Sequence, residues 1–366
     1  MRRSFTMDIG SIFPLYDNDM KVASQDDAIE TPLGGKMLFS LCREALFSMA
    51  SRLETSNKTV LLPAYTCDTI ITPFKELGWK CIYYPVDLQL RIDTQAAMML
   101  FDQSHASLIV VHPYYGKDLN DVEVAFLELI HEKGCKIAVD LTQCIFSSQR
   151  LQCVDFYLGS IRKWYAIPDG GYLESTNDAA SFDADLKENS EYLSLQRDAM
   201  YLRGLYFRTG NEEIKNISRR INKMADRMVD VGIRPHKMSS FSCRLLIKES
   251  VKDNQKARFD NYKFLLDNIK VKDGWKILCD NLSEVTTAPL YFMLYVENRG
   301  ELQRKLSEQH IYAPVLWPVV YEEVLVNDIV KYIYDHILAI PIDQRYEEND
   351  MKKVVDLLNN QILQQC

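Results

Sequence analysis

The 366-residue chain predicts an α/β protein built around a mostly parallel sheet, with a smaller α+β domain at its C-terminal end. Three observations carry this. Short runs that are apolar throughout read as strands buried on both faces, and amphipathic stretches at helical spacing separate them. Glycines stand where two of those helices should stop, Gly78 and Gly134. In order, "KMLFSLCREALFSMASRL" (36–53) has helical spacing, "TVLLPAY" is a strand, "TIITPFKELG" a helix and "KCIYYPVD" a strand. "SLIVVHPYYG" is a strand, "DVEVAFLELIHEKG" a helix, "KIAVDLTQ" a strand ending in Asp140, and "VDFYLGS" and "GGYLES" complete the sheet. Residues 180–265 read as charged helices. The last hundred or so alternate again: "TTAPLYFMLYVE" (strand), "RGELQRKLSEQ" (helix), "HILAIPID" (strand) and "ENDMKKVVDLLNNQILQ" (helix). The expected boundary falls near 250, giving domains 1–250 and 251–366, with residues 1–35 able to pack on the smaller one.

Composition narrows the function. Hydrophobic residues make up 47% and charged residues 26%, as in ordinary globular proteins. The net charge is −8 without a basic block, so neither nucleic acid nor an anionic membrane surface is an expected partner. No run approaches the roughly 20 apolar residues that span a bilayer. Asp8 and Asp17 break the N-terminal stretch, so no signal peptide is expected. Nine scattered cysteines with no CxxC pair read as reduced thiols in a cytoplasmic protein. The histidines (105, 112, 131, 236, 310 and 336) show no ligand spacing, so no metal site is expected. There is no internal repeat, no GxGxxG, no GxxxxGK[ST] and no GxSxG.

In a sheet of this kind a ligand sits beyond the carboxyl ends of the strands. The residues there are Asp140, Gln143 and Ser160, with Lys163 just beyond, and Tyr65 and His112 close two further strands. A lysine becomes a nucleophile when burial or a nearby cation, here Arg162, favours loss of its proton. An aspartate at a strand end can hold a protonated ring nitrogen. A Schiff-base lysine and a pyridinium-binding aspartate together are what pyridoxal 5′-phosphate (PLP) needs.

From about residue 36 onward the chain resembles the DegT/DnrJ/EryC1/StrS aminotransferases, PLP enzymes of fold type I with a seven-stranded-type sheet. "AVDLTQ" is similar to their "EDAAQ" motif, which places the pyridine aspartate at Asp140 and a glutamine near the ring hydroxyl at Gln143. "GSIRKWYAIPDGGYLES" is similar to their lysine segment, with a phosphate-contacting serine at Ser160, the Schiff-base lysine at Lys163 and a glycine pair at Gly170 and Gly171. "LCREAL" lies where the family begins its phosphate-binding helix, so the backbone amides of Arg43 and Glu44 are expected to cradle the phosphate, Arg43 adding charge. "VVHPYYGKDLND", "IYAPVLWP" and "LAIPIDQRY" extend the likeness. It implies transfer of an amino group from an amino acid, usually glutamate, to a keto sugar carried on a nucleotide. The implied setting is surface polysaccharide or related sugar biosynthesis, and the implied assembly is a homodimer.

The chain also departs from that pattern. Asp140 and Lys163 are closer in sequence than usual. Cys67 occupies the place of the aromatic that stacks on the ring, leaving Tyr65 or His112 for that role. "YLRGLYFRTGNEEIKNIS" replaces the segment that helps shape the sugar site. Two other readings stay open: a PLP-dependent sugar dehydratase or lyase, and an inactive homologue that acts as a binding protein. Ordinary roles remain open too. They are a helix cap for Asp140, a turn for Ser160, a structural His112, solvated Arg203 and Arg208, and core or interface packing for Trp317.

Overall fold

The computed structural model describes residues 8–23, 34–176 and 185–360. After α1 (Asp17–Ala23), the large sheet and its helices run β1 (Met37–Phe39), α2 (Cys42–Arg52), β2 (Thr59–Pro63), α3 (Asp68–Glu76) and β3 (Lys80–Tyr84). They continue α4 (Thr94–Ser104), β4 (Leu108–Val111), α5 (Asp121–Glu132), β5 (Lys136–Asp140), β6 (Phe156–Ser160) and β7 (Gly171–Ser175). The seven strands lie in the order β1-β7-β6-β5-β4-β2-β3. Strand β7 is antiparallel to both neighbours, and the other pairs are parallel.

The parallel strands are buried as their sequences require. Val60, Leu61, Leu62, Ile109, Val110, Ile137 and Ala138 are all fully inaccessible. Burying each larger aliphatic side chain contributes about 1.5–3 kcal/mol, which sets this sheet as the centre of the large domain. Helix α5 starts with a capping box: Asn120 accepts from the Glu123 amide at 2.9 Å, and Glu123 accepts from the Asn120 amide at 3.0 Å. The predicted helix over 36–53 needs one correction, because its first residues form β1. Leu41 is extended (φ −133°), and Met37–Phe39 pair with Leu173–Gly171. Helical spacing in a short apolar run also suits an edge strand, and the unpaired edge of β7 decides between them.

The helical stretch is α6 (Ser190–Thr209), α7 (Glu212–Met228), α8 (Ser240–Leu246) and α9 (Val251–Asn268). Gly210 (φ +68°) makes the turn of the α6–α7 hairpin, and Asn211 caps α7. An antiparallel sheet follows, β8 (Trp275–Ile277), β9 (Tyr291–Val296) and β10 (Ile337–Pro341), in the order β10-β9-β8. It carries α10 (Arg299–Glu308), α11 (Asp328–His336) and α12 (Glu348–Asn360). Its separate core includes Leu265, Phe292, Leu294, Leu338 and Val354. Among the described residues, no helix is long and apolar enough to cross a membrane.

The N-terminal segment joins these parts. Ile9 exchanges backbone hydrogen bonds with His310 and Tyr312 at 2.9 and 2.7 Å. The buried Asp8 carboxylate meets Arg203 at 2.6 Å, and Lys215 and His310 at 3.1 Å each. Arg203 is therefore a buried ion-pair partner rather than a solvated charge. Arg208 stays on the surface, paired with Asp17 at 2.6 Å.

Gly171 opens β7 against the start of α2. A Cβ there would lie 2.4 Å from the Cys42 nitrogen and 2.6 Å from the Leu41 carbonyl carbon, both rigid backbone. Gly171→Ala is expected to lower stability by about 3 kcal/mol, read from the urea midpoint. An unchanged midpoint would show that the two segments separate freely.

Candidate functional site

Strands β5 and β6 are parallel neighbours, and each ends in a single turn of 3-10 helix, Leu141–Gln143 and Ile161–Lys163 respectively. Asp140 and Lys163 therefore stand side by side despite 22 intervening residues. Together with His112, Gln143, Ser160, Arg162, Cys42, Arg43, Cys67 and Trp317 they line a cavity of about 50 Å3. Lys163 and Arg162 are also in the wall of a larger groove of about 800 Å3, bounded by residues 10–13, the α6–α7 hairpin and the small domain.

Asp140 has two roles at once. Its Oδ1 accepts from the Thr142 amide at 2.8 Å, capping the turn, and its Oδ2 lies 3.6 Å from His112 Nδ1. The cap that the sequence offered as an ordinary reading is real and leaves the other oxygen aimed at the site. Burial holds His112 below the usual histidine range; Lys163 lowers it further and Asp140 opposes both. A neutral ring results, with Nε2 at 2.8 Å from Thr66 Oγ1. Burial, then Asp140, pushes the Cys42 thiol well up, and burial raises Cys67, so both stay protonated at neutral pH.

Thr142 has a role beyond following a capping aspartate. Its hydroxyl accepts from the Ser160 amide at 3.0 Å, and its carbonyl accepts from Trp164 Nε1 at 2.8 Å. It thus fastens the aspartate turn to the lysine turn. The only available signal was its place inside "DLTQ".

Other sequence candidates lie elsewhere. Tyr65 is fully buried, gives its hydroxyl to the Leu316 carbonyl and packs on Tyr114, Trp317 and Tyr334; it does not line the small cavity. Of the two residues expected to stack on a ring, His112 is the one at the cavity. Trp317, expected in packing, contacts both the core and the cavity. The Glu44 amide bonds back to the Leu41 carbonyl at 3.1 Å, and its carboxylate accepts from the His236 backbone amide at 3.0 Å. Glu44 thus lies outside the small cavity, in the wall of a neighbouring one. Arg43 lines the cavity while bonding the Val229 carbonyl and Asp230, each at 3.0 Å. Among the described residues, no group of three or more histidine, cysteine or acidic side chains could hold a metal ion.

No family model matches the sequence, and no curated protein matches it. Solved structures do match. A DegT DnrJ EryC1 StrS aminotransferase from Brucella abortus superposes with a TM-score of 0.60 at 15% identity, over 89% of this chain and 85% of that one. NtdA from Bacillus subtilis, solved with bound cofactor PMP, gives 0.66 at 13% identity, over 98% and 86%. DesI, solved in the presence of its TDP-sugar product, gives 0.64 at 13%, over 93% and 83%. The chain has the fold of these aminotransferases. In this aminotransferase fold the cavity at the β5 and β6 ends lies where the parallel-sheet rule puts a ligand.

Two variants probe the site. Thr142→Val keeps the shape and loses the hydroxyl, leaving the Ser160 amide unpaired. It should cost about 1–3 kcal/mol in chemical denaturation, and full stability would sever the link between the turns. The second concerns Asp169, in the loop after Lys163. Burial raises its pKa to about 6, against hydrogen bonds from Ser239 and Ser242. A raised folded-state carboxyl means the native state binds more protons than the unfolded chain. Its contribution is fully present below about pH 4 and is lost as pH rises through about 6, a change of up to about 3 kcal/mol. Asp169→Asn should abolish that decline in a pH series of urea melts, and an unaltered slope would refute it.

Proposed function

We propose that the chain is a PLP-dependent aminotransferase that moves an amino group from an α-amino acid, in the first instance glutamate, to a keto sugar carried on a nucleotide. One observation carries the reading: Asp140, buried at the end of β5 where it caps the following turn, shares a cavity with Lys163 in the turn after β6. The orphaned polar atom beside them fits the cofactor. Gln143 Oε1 is buried with no hydrogen-bond partner, and a ring hydroxyl would supply the missing donor. NtdA, with its bound PMP, and DesI, with its TDP-sugar product, support the cofactor and the acceptor class.

In this reading Lys163 would hold the cofactor covalently and Asp140 would keep its ring nitrogen protonated. Ser160 and the Cys42 and Arg43 amides at the start of α2 would meet the phosphate, and His112 and Trp317, which line the same cavity, would border the ring. When bound, PLP supplies an electron sink for the bond broken at the donor's α-carbon. Lys163, once free as an amine, takes the proton from that carbon as general base and returns one as general acid. His112, kept neutral by burial, hydrogen-bonds without adding a competing charge beside Asp140. The small domain, taken to begin near 251, forms the far wall of the groove that admits the acceptor. A cytoplasmic homodimer serving surface polysaccharide or related sugar synthesis completes the proposal.

Purified protein should take up PLP and show a visible absorption band that borohydride bleaches. Lys163→Ala should lack that band, and Asp140→Ala should lower the half-reaction rate with glutamate by about 1000-fold. A protein that stays colourless with added PLP would refute the enzyme reading.

A further inference from the structure

The wall that α6 and α7 build beside Lys163 holds buried hydrogen-bond donors with nothing to bind. Arg162 lines both the small cavity and the large groove. Its Nε is buried without a partner, and among the described residues its guanidinium forms no ion pair or hydrogen bond. The Tyr192 hydroxyl and the Gln196 Nε2, one helical turn apart on α6, are likewise buried and unpartnered. The Asp226 carboxylate of α7 acts electrostatically on Arg162, while burial keeps the Tyr192 phenol protonated and uncharged. Gln196, Asn222 and Asp226 stand in the groove wall with Arg162 and Lys163. The guanidinium of Arg162 and the amide NH2 of Gln196, both in the groove wall, can donate, and folded proteins rarely leave such groups unpaired. Together they call for an acceptor-rich anion from outside the chain.

Building on the aminotransferase reading, we propose that Arg162, supported by Gln196, binds the α-carboxylate of the amino-acid donor. Chain geometry favours that anion. Arg162 and Lys163 line the same small cavity and the same groove, so an anion held by Arg162 there shares the space into which the lysine amine opens. The donor's α-carbon has to reach that amine, and the α-carboxylate is one bond away from it. The diphosphate of a nucleotide sugar is separated from the reacting carbon by several bonds. A planar carboxylate also matches the guanidinium as a bidentate acceptor. The cofactor phosphate is the competing anion, and its expected cradle is the start of α2.

The test compares wild type, Arg162→Gln and Gln196→Leu after loading with PLP. Each is mixed with glutamate, and separately with a primary amine lacking a carboxylate, while the visible band is followed. PLP affinity of each apo-protein is measured by fluorescence titration. For Arg162→Gln the KM for glutamate should rise about 100-fold, with the maximal rate changed less than about fivefold. The carboxylate-free amine should show no comparable rise in KM with either variant. PLP affinity should stay within about threefold, and Gln196→Leu should raise the glutamate KM about 10-fold. A PLP dissociation constant that rises about 100-fold while the glutamate KM holds would assign Arg162 to the cofactor phosphate and overturn the proposal. Unchanged values throughout would overturn it too. Should Arg162→Gln fail to fold, an unaltered KM in Gln196→Leu decides against it. A wild type that takes up no PLP removes the aminotransferase reading itself, a failure distinct from these.

Discussion

The site depends on one threonine binding two turns together. A parallel pair such as β5 and β6 aligns its strand ends but leaves the loops beyond them free. Here each strand runs directly into a single 3-10 turn. Thr142 uses its amide on Asp140, its hydroxyl on the Ser160 amide and its carbonyl on Trp164. Hydrogen bonds in a buried, low-dielectric setting are worth more together than apart, because each fixes the geometry of the next. Trp164 is fully buried and its ring lies 4.5 Å from the Arg258 guanidinium carbon, so the lysine turn is anchored on its far side as well. The carboxylate and the amine are thus placed by backbone and core rather than by flexible loops.

The parts of the fold legible in the sequence were those whose chemistry is local. Strands β2, β4 and β5 must be apolar on both faces, and an unbroken apolar run says so without reference to the rest of the chain. Strand β1 was hidden because three residues have too little pattern of their own; only the partner β7 makes them a strand. The same holds in the site. Asp140 and Lys163 announce themselves by type and by position at strand ends. Thr142 is an unremarkable residue whose role depends on where β6 brings Ser160. Tyr65 illustrates the opposite case. It follows a strand as His112 does, but the chain turns its ring into the aromatic cluster with Tyr114, Trp317 and Tyr334, a choice set by residues up to 269 positions away.

The large groove owes its shape to a second buried cluster. Asp8 is inaccessible, so its charge must be met inside the protein, and Arg203, Lys215 and His310 meet it. These three residues come from α6, α7 and the small domain, the elements that face one another across the groove. One carboxylate from the N-terminal segment therefore holds both sides. Buried ion pairs add little net stability over an apolar substitute, but removing one partner leaves a charge without compensation. That asymmetry suits a spacer better than a glue. It penalises any arrangement in which the hairpin, the N-terminal segment and the small domain lose their relative positions. The wall that carries Gln196 is the same α6 that carries Arg203, two turns further along. Fixing Arg203 on Asp8 thus also fixes the helix that places Gln196 in the groove wall with Arg162. The charge cluster around Asp8 ties α6, α7 and His310 just after α10 together, and the proposed carboxylate grip rests on the helix it holds.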